Sequence, residues 1–227
     1  MTTTRHPAAS VTSHPAASVA SYPADRVGGT RAMLGALAVA GPLWAAVSLT
    51  QAATRDGFDL TRHPLSLLST GALGWLQITN FVLAGILLLI GATGLRRTIT
   101  SRWAPRLVRI SGAGMLAAGV LVMDPADGYP IGTPAGMPAT MSWHSIGHMA
   151  AGSVTFIALI AACYVLARHF RAAGAGGTAV AGAIAGTALL AGDTWAMTGS
   201  PAGSATLAVG AITAMCFLTA AALHTRR

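Results

Sequence analysis

The sequence predicts an all-α polytopic membrane protein, a bundle of six transmembrane helices with both termini in the cytoplasm. Of the 227 residues, 53% are hydrophobic and only 9% are charged, whereas about a quarter of the residues of a soluble domain are charged. The hydrophobic residues are concentrated in six stretches, most of which approach the roughly 20 residues needed to cross a bilayer. Because lipid offers the peptide groups no hydrogen-bond partners, these stretches must be helical.

The first element is a polar tail, residues 1–30, which we expect to be disordered and cytoplasmic. It is rich in Ala, Ser, Thr and Pro, and it repeats the sequence HPAASV at 6–11 and 14–19. So little apolar surface does not offset the entropy that the chain would lose on folding. The remaining residues, 31–227, form the predicted six-helix transmembrane domain.

The six apolar stretches define the predicted spans. The first is long, contains Pro42 and follows 30 residues of polar tail, so a membrane span is favoured over the alternative of a cleaved signal peptide. The third is the shortest, and it gains length if Arg109 extends its side chain to the interface. The predicted spans are 33–53, 72–95, 107–123, 144–167, 176–197 and 201–223.

Arginine residues set the predicted orientation. With six spans both termini share a side, and every arginine except Arg55 and Arg62 falls on that side. Basic loops stay in the cytoplasm, so both termini are predicted to be cytoplasmic, and the protein is predicted to lie in the cell membrane. The carboxylates are mostly on the opposite, outer side, at Asp56, Asp59, Asp124, Asp127 and Asp193.

The composition argues against two classes of partner. The formal charge of +8 does not indicate nucleic acid, because the arginines flank apolar spans. The segment GTPAG at 132–136 lacks the length and the lysine of a phosphate-binding loop, so no nucleotide site is predicted. The predicted partner is the lipid bilayer, and the oligomeric state is not defined by the sequence.

A cluster of polar residues is predicted at the outer ends of the spans. The motif MSWHSIGHMAAG, 141–152, opens the fourth span with His144 and His148 on one helical face, and Ser142 or Thr140 can cap this helix. Asp193 lies at a similar depth in the fifth span. An ionisable side chain at that depth normally faces the bundle interior with a partner, which makes a contact between His148 and Asp193 plausible.

The same region supplies the candidate site residues. The candidate catalytic residues are His144, His148 and Asp193, and the candidate substrate-binding residues are His63, Ser66, Asn80 and Asp124. Asp124 is expected at the lipid boundary, with Pro125 ending the third helix. Asn80 can also form hydrogen bonds between helices. Histidine and carboxylate ligands suit a divalent metal such as zinc, for which the candidate ligands are His144, His148 and Asp124.

Three segments carry a resemblance to a known family. They are RHPLSLLSTGALGWLQITNFVLAG at 62–85, MDPADGYPIGTP at 123–134 and WHSIGHMAAG at 143–152. Together they resemble the bacterial membrane proteins of the domain-of-unknown-function 998 family, over about residues 35–220. The resemblance implies a multi-helix integral membrane protein and supports the six spans, but it implies no established activity.

Several functions are compatible with these residues. The preferred hypothesis is an outer-face site that binds a metal or acts on a lipid or small amphipathic molecule, where zinc can activate water. Alternatively, Asp193 and His148 exchange protons in a small-molecule transporter, or the cluster only joins helices in a non-catalytic scaffold. Haem ligation by histidine is a fourth possibility. Whether the protein is an enzyme is left undecided.

Overall fold

The computed structural model describes residues 1–2 and 24–226, and these residues contain six α-helices. A short 3₁₀ helix, Leu65–Ser69, lies between the first two. The predicted all-α class is confirmed, whereas most of the predicted disordered tail, 3–23, lies outside the described residues. The helices are α1 (Ala24–Thr54), α2 (Gly74–Thr98), α3 (Trp103–Val120), α4 (Trp143–Ala172), α5 (Gly176–Met197) and α6 (Gly203–Thr225).

The helices form a closed ring in which each packs against the next along the chain and α6 packs against α1. The connections 55–73, 121–142 and 198–202 share one end of the bundle, called here the capped end. The connections 99–102 and 173–175 share the other end, called the arginine end. Its described arginines are Arg31, Arg96, Arg97, Arg102, Arg106, Arg109, Arg168, Arg171 and Arg226.

In the described chain, 5 helices are long and apolar enough to cross a membrane, namely α1, α2, α4, α5 and α6. A polytopic helical membrane protein is therefore confirmed. Helix α3 is not among the five: it has 18 residues and carries Arg106 and Arg109 in its first two turns. Six membrane spans and cytoplasmic termini remain predictions.

Several helix boundaries differ from the predicted ones. Helix α1 begins at Ala24, inside the segment assigned to the tail, and α3 covers Trp103–Val120 instead of 107–123. Pro105 is accommodated in the first turn of α3, where its missing N–H has no intrahelical partner to lose. The expected stop at Pro125 is wrong: the helix ends at Val120, and Leu121 is already extended with ψ 91°. At this end, carbonyl oxygens accept a hydrogen bond from the side chain of His148 in α4.

Small residues allow the helices to approach closely. A Cβ atom on Gly41 would lie 2.5 Å from the backbone oxygen of Met215, where α1 meets α6. On α5, a Cβ atom on Gly182 would lie 2.6 Å from the ring of Phe217. Both distances are below van der Waals contact, so these helices pack with glycine at the point of contact.

The closing contact of the ring yields a stability prediction. Gly41→Ala is expected to lower the free energy of unfolding by about 1–3 kcal/mol, because the new methyl group meets a backbone carbonyl that cannot move alone. Gly28→Ala is the matched control on the same helix, since nothing lies within 4 Å of the position that its new methyl group would take. Detergent-titrated unfolding followed by circular dichroism measures both; equal stability of the two variants would contradict the predicted contact.

Candidate functional site

A cavity of about 570 Å³ lies in the capped end of the bundle. It extends inward to Trp44 of α1 and Ala211 of α6, which lie roughly 15 Å and 12 Å from the ends of their helices at 1.5 Å per residue. Its apolar lining includes Leu65, Leu67, Phe81, Phe156, Leu207 and several methionines. The cavity is therefore an apolar chamber that begins beneath the loops of the capped end.

Four of the predicted site residues line this cavity: His63, Ser66, His148 and Asp193. They come from the 55–73 connection, from α4 and from α5, so separate parts of the sequence meet here. Asn80, Asp124 and His144 do not belong to the lining. The predicted cluster is thus partly assembled around one chamber.

His148 is held by the end of α3. Its Nδ1 lies 2.9 Å from the carbonyl oxygen of Ala118 and 2.7 Å from that of Leu121. Carbonyl oxygens only accept hydrogen bonds, so Nδ1 carries the proton and the side chain caps the C-terminus of α3. The ring is 5% exposed and meets Phe81 edge-on. A charged ring is disfavoured at this depth, and in the neutral ring Nε2 is an acceptor.

Asp193 lies one turn before the end of α5 and is partly buried. Among the described residues no hydrogen bond or ion pair reaches its carboxyl group, and none joins it to His148. The contact considered from the sequence is therefore not formed, although both side chains line the same cavity. A carboxyl group in an apolar chamber without a protein partner is a ready hydrogen-bonding site for a ligand.

His63 ties two loops together above the cavity. Its Nδ1 accepts a hydrogen bond from the Asp59 N–H at 3.0 Å, so Nε2 carries the proton and donates to the Asp127 carbonyl oxygen at 2.9 Å. The ring is 2% exposed and packs against Phe58 and Tyr129. Both ring nitrogens are thus used by the protein, and His63 serves to hold the 55–73 loop against the 121–142 loop.

Asp127 is the second tie between these loops. Its Oδ1 accepts hydrogen bonds from Arg62 Nη2 at 2.8 Å and from the Gly136 N–H at 3.1 Å. These interactions, the Arg62 hydrogen bond first, hold the pKa of Asp127 below its usual value. The Arg62 carbonyl oxygen in turn accepts from Ser204 of α6 at 2.8 Å. The loops and α6 are therefore linked across the mouth of the cavity.

Asp124 and His144 have local roles. Asp124 Oδ2 accepts a hydrogen bond from the Ser142 N–H at 2.7 Å, and Ser142, through its side chain and then its backbone, lowers the pKa of Asp124. Ser142 also accepts from the Ser145 N–H at 3.2 Å, which confirms it as the cap of α4. His144 is exposed and its ring lies 3.6 Å from that of Trp143.

Asn80 belongs to a buried polar cluster between α1 and α2. Its Nδ2 donates to the Trp44 carbonyl oxygen at 3.0 Å and to Ser48 Oγ at 3.1 Å. Gln77 Oε1 accepts from Gln51 Nε2 at 2.8 Å in the same cluster. These hydrogen bonds join the two helices, as considered from the sequence, and the side chains lie behind the cavity wall.

The predicted metal ligands are not assembled. No group of three histidine, cysteine, aspartate or glutamate side chains in the described part of the chain is arranged to hold a metal ion. Of His144, His148 and Asp124, the first is stacked on an exposed indole, the second caps α3 and the third caps the turn before α4. The three side chains therefore have separate partners in this structure.

Methionine is the part of the lining that sequence reasoning missed. Of the 9 methionines of the chain, several surround the cavity: Met115, Met123, Met137, Met149 and Met197. Methionine is flexible and polarisable, and proteins use it on surfaces that adapt to varied apolar ligands. A signal was present, because Met123 precedes Asp124 and Met149 follows His148 in the sequence.

The closed helical ring with its internal chamber defines the class of this molecule as a multi-pass helical membrane protein. A family model described as "Protein of unknown function (DUF998)" matches residues 38–224. The chain therefore belongs to this family, which confirms the resemblance found in the sequence. No curated protein and no solved structure matches the chain.

Proposed function

We propose that this protein binds a lipid or another amphipathic small molecule in the chamber at its capped end. The observation that carries the proposal is the cavity of about 570 Å³, apolar along most of its wall, in which His148 and Asp193 keep unpartnered polar atoms. Ligand sites in proteins fall in the range of about 300–1,000 Å³ and combine apolar walls with a few polar groups. An apolar chain suits the methionine-rich wall, and a polar head suits the two side chains.

The distribution of arginine supports access from the extracytoplasmic side of the cell membrane. The described arginines gather at the arginine end, and only Arg55 and Arg62 lie at the capped end. By the positive-inside rule the capped end faces outward. In this orientation, a molecule of the outer leaflet or of the outer aqueous space is the one that enters the chamber.

A glycine in the cavity wall gives a clean test. Gly152 lines the cavity, and nothing lies within 4 Å of the position that a Cβ atom would take. Gly152→Leu therefore fills part of the chamber without a backbone clash. Gly28→Leu is the matched control, because Gly28 is also a helical glycine with open space around it but lies outside the cavity lining. Both changes raise helix propensity by a similar amount.

The readout is photolabelling in lipid nanodiscs with a dodecanol that carries a diazirine, followed by peptide mapping. We expect labels on lining residues such as Met115, Phe156 and Leu207 in the wild type. In Gly152→Leu these labels fall by about tenfold, corresponding to ~1.4 kcal/mol of binding, and in Gly28→Leu they stay unchanged. Labels found only on lipid-facing residues such as Ile157 and Val180 would refute the proposed binding.

A further inference from the structure

All side-chain hydroxyl groups of the described cavity lining donate their protons in hydrogen bonds to protein acceptors. Each donates a hydrogen bond to a neighbouring acceptor at 2.8 to 2.9 Å, so only its lone pairs remain available to a ligand. The pairs are Ser66 with Met123 Sδ, Ser153 with the Met149 carbonyl, Thr155 with the Ala151 carbonyl and Ser204 with the Arg62 carbonyl. These hydroxyl groups therefore act as acceptors in the chamber.

His148 and Asp193, the two ionisable side chains with polar atoms that no protein group contacts, also offer hydrogen-bond acceptors. The proton of neutral His148 is fixed on Nδ1 by the carbonyl oxygens of α3, which leaves Nε2 with a lone pair. The carboxyl group of Asp193 has no donor among the described residues. A carboxyl oxygen accepts hydrogen bonds in either protonation state, and in its ionised form the group also attracts a positive charge.

Among the side-chain donors of the described lining, only Arg62 keeps free N–H groups, and the others are used or covered. His63 donates its Nε2 proton to the Asp127 carbonyl. Arg62 lies at the mouth, where its charge is paired with Asp127 and its side chain is 53% exposed to solvent. The indole Nε1 of Trp44 has no partner but is buried from the surface of the chamber. Beyond Arg62 at the mouth, an anionic head group would therefore face the acceptors His148 Nε2 and Asp193 without a free side-chain donor.

We infer that the ligand of this cavity carries a hydrogen-bond-donating head group, an amine or an alcohol, on an apolar chain. Such a head group donates to His148 Nε2 and to a carboxyl oxygen of Asp193, and a cationic amine also balances the charge of Asp193 when this group is ionised. A phosphate or carboxylate head group would leave those acceptors unpaired and bring like charges together, which is costly in an apolar chamber. This inference rests on the proposed function and specifies its ligand class.

Competition among four probes with the same chain tests the inference. Dodecylamine, dodecanol, dodecanoate and dodecyl phosphate are added to nanodiscs of zwitterionic lipid, and protection of the cavity peptides from the diazirine label is measured. Gly152→Leu is measured in parallel to correct for partitioning into the bilayer. We expect the amine and the alcohol to protect at concentrations about tenfold lower than the two anions.

A variant identifies the responsible group. Asp193→Asn keeps the size of the side chain but removes its charge, and it is expected to abolish the advantage of dodecylamine over dodecanol. Equal protection by all four probes in the wild type would overturn the head-group inference while leaving the binding cavity intact. Absence of cavity labelling in the wild type, with no difference from Gly152→Leu, would instead refute the proposed function. The ranking in the wild type decides between these outcomes even where a variant folds poorly.

Discussion

Replacing His148 by phenylalanine is expected to lower the free energy of unfolding by roughly 2–4 kcal/mol, because two carbonyl oxygens at the end of α3 lose their donor. The carbonyls of Ala118 and Leu121 lie 2.9 and 2.7 Å from His148 Nδ1, and no other donor in the described chain reaches them outside helical pairing. Phenylalanine preserves the ring and its contact with Phe81. The loss of stability in His148→Phe therefore measures the contribution of the hydrogen bonds and not that of the ring packing.

His148→Asn provides the complementary variant, because the asparagine amide nitrogen occupies nearly the position of Nδ1. It retains a donor for the two carbonyls while it removes the rest of the ring. Hydrogen exchange of the last turn of α3 separates the two effects: we expect fast exchange in His148→Phe and near-wild-type protection in His148→Asn. Full protection of this turn in His148→Phe would show that the side chain does not cap α3.

The spans were predictable because their signal is local. A run of apolar residues long enough to cross a bilayer must be helical, and five such helices are present in the described chain. The end of α3 was not predictable in this way. The chain leaves the helix at Val120, where the free carbonyls meet His148 from α4, and Pro125 plays no part in that end. The stop depends on a tertiary partner that a local pattern does not contain.

The sequence indicates how deep each candidate site residue lies along its helix, but only partly which side chains face the cavity. His148 and Asp193, which the sequence places at equal depth, both line one chamber. His144 shares the helical face of His148, but it lies one turn nearer to the helix end, where its ring is exposed and stacks on Trp143. Which turns of a face are covered depends on how far the neighbouring elements extend. The 121–142 loop adds contacts over long sequence separations, such as Arg62 with Asp127.

Asp127→Ala is expected to lower the free energy that keeps the two loops of the capped end closed by roughly 2–4 kcal/mol. The change removes the carboxylate oxygen that accepts from Arg62 and from the Gly136 N–H, and it leaves Arg62 only the Asp127 carbonyl oxygen at 3.2 Å. It also places alanine at φ 50°, a left-handed conformation that aspartate and asparagine tolerate better. Hydrogen exchange of the Gly136 and Gly128 amides, corrected for their intrinsic rates, measures the opening of the loops.

Asp127→Asn separates charge from geometry, because asparagine tolerates the same backbone conformation and its amide oxygen still accepts a hydrogen bond. The pKa of Asp127 is lowered in the folded protein, first by the Arg62 hydrogen bond. The contribution of its charge is therefore complete above the unfolded pKa of about 3.9 and is lost as the pH falls through the lower folded value. Wild-type loops should open more readily below about pH 4. Asp127→Asn should show a smaller acid-dependent change, which does not vanish because Asp59 and Asp124 still titrate. An identical acid response in the two proteins would mean that the ion pair with Arg62 does not hold the loops together.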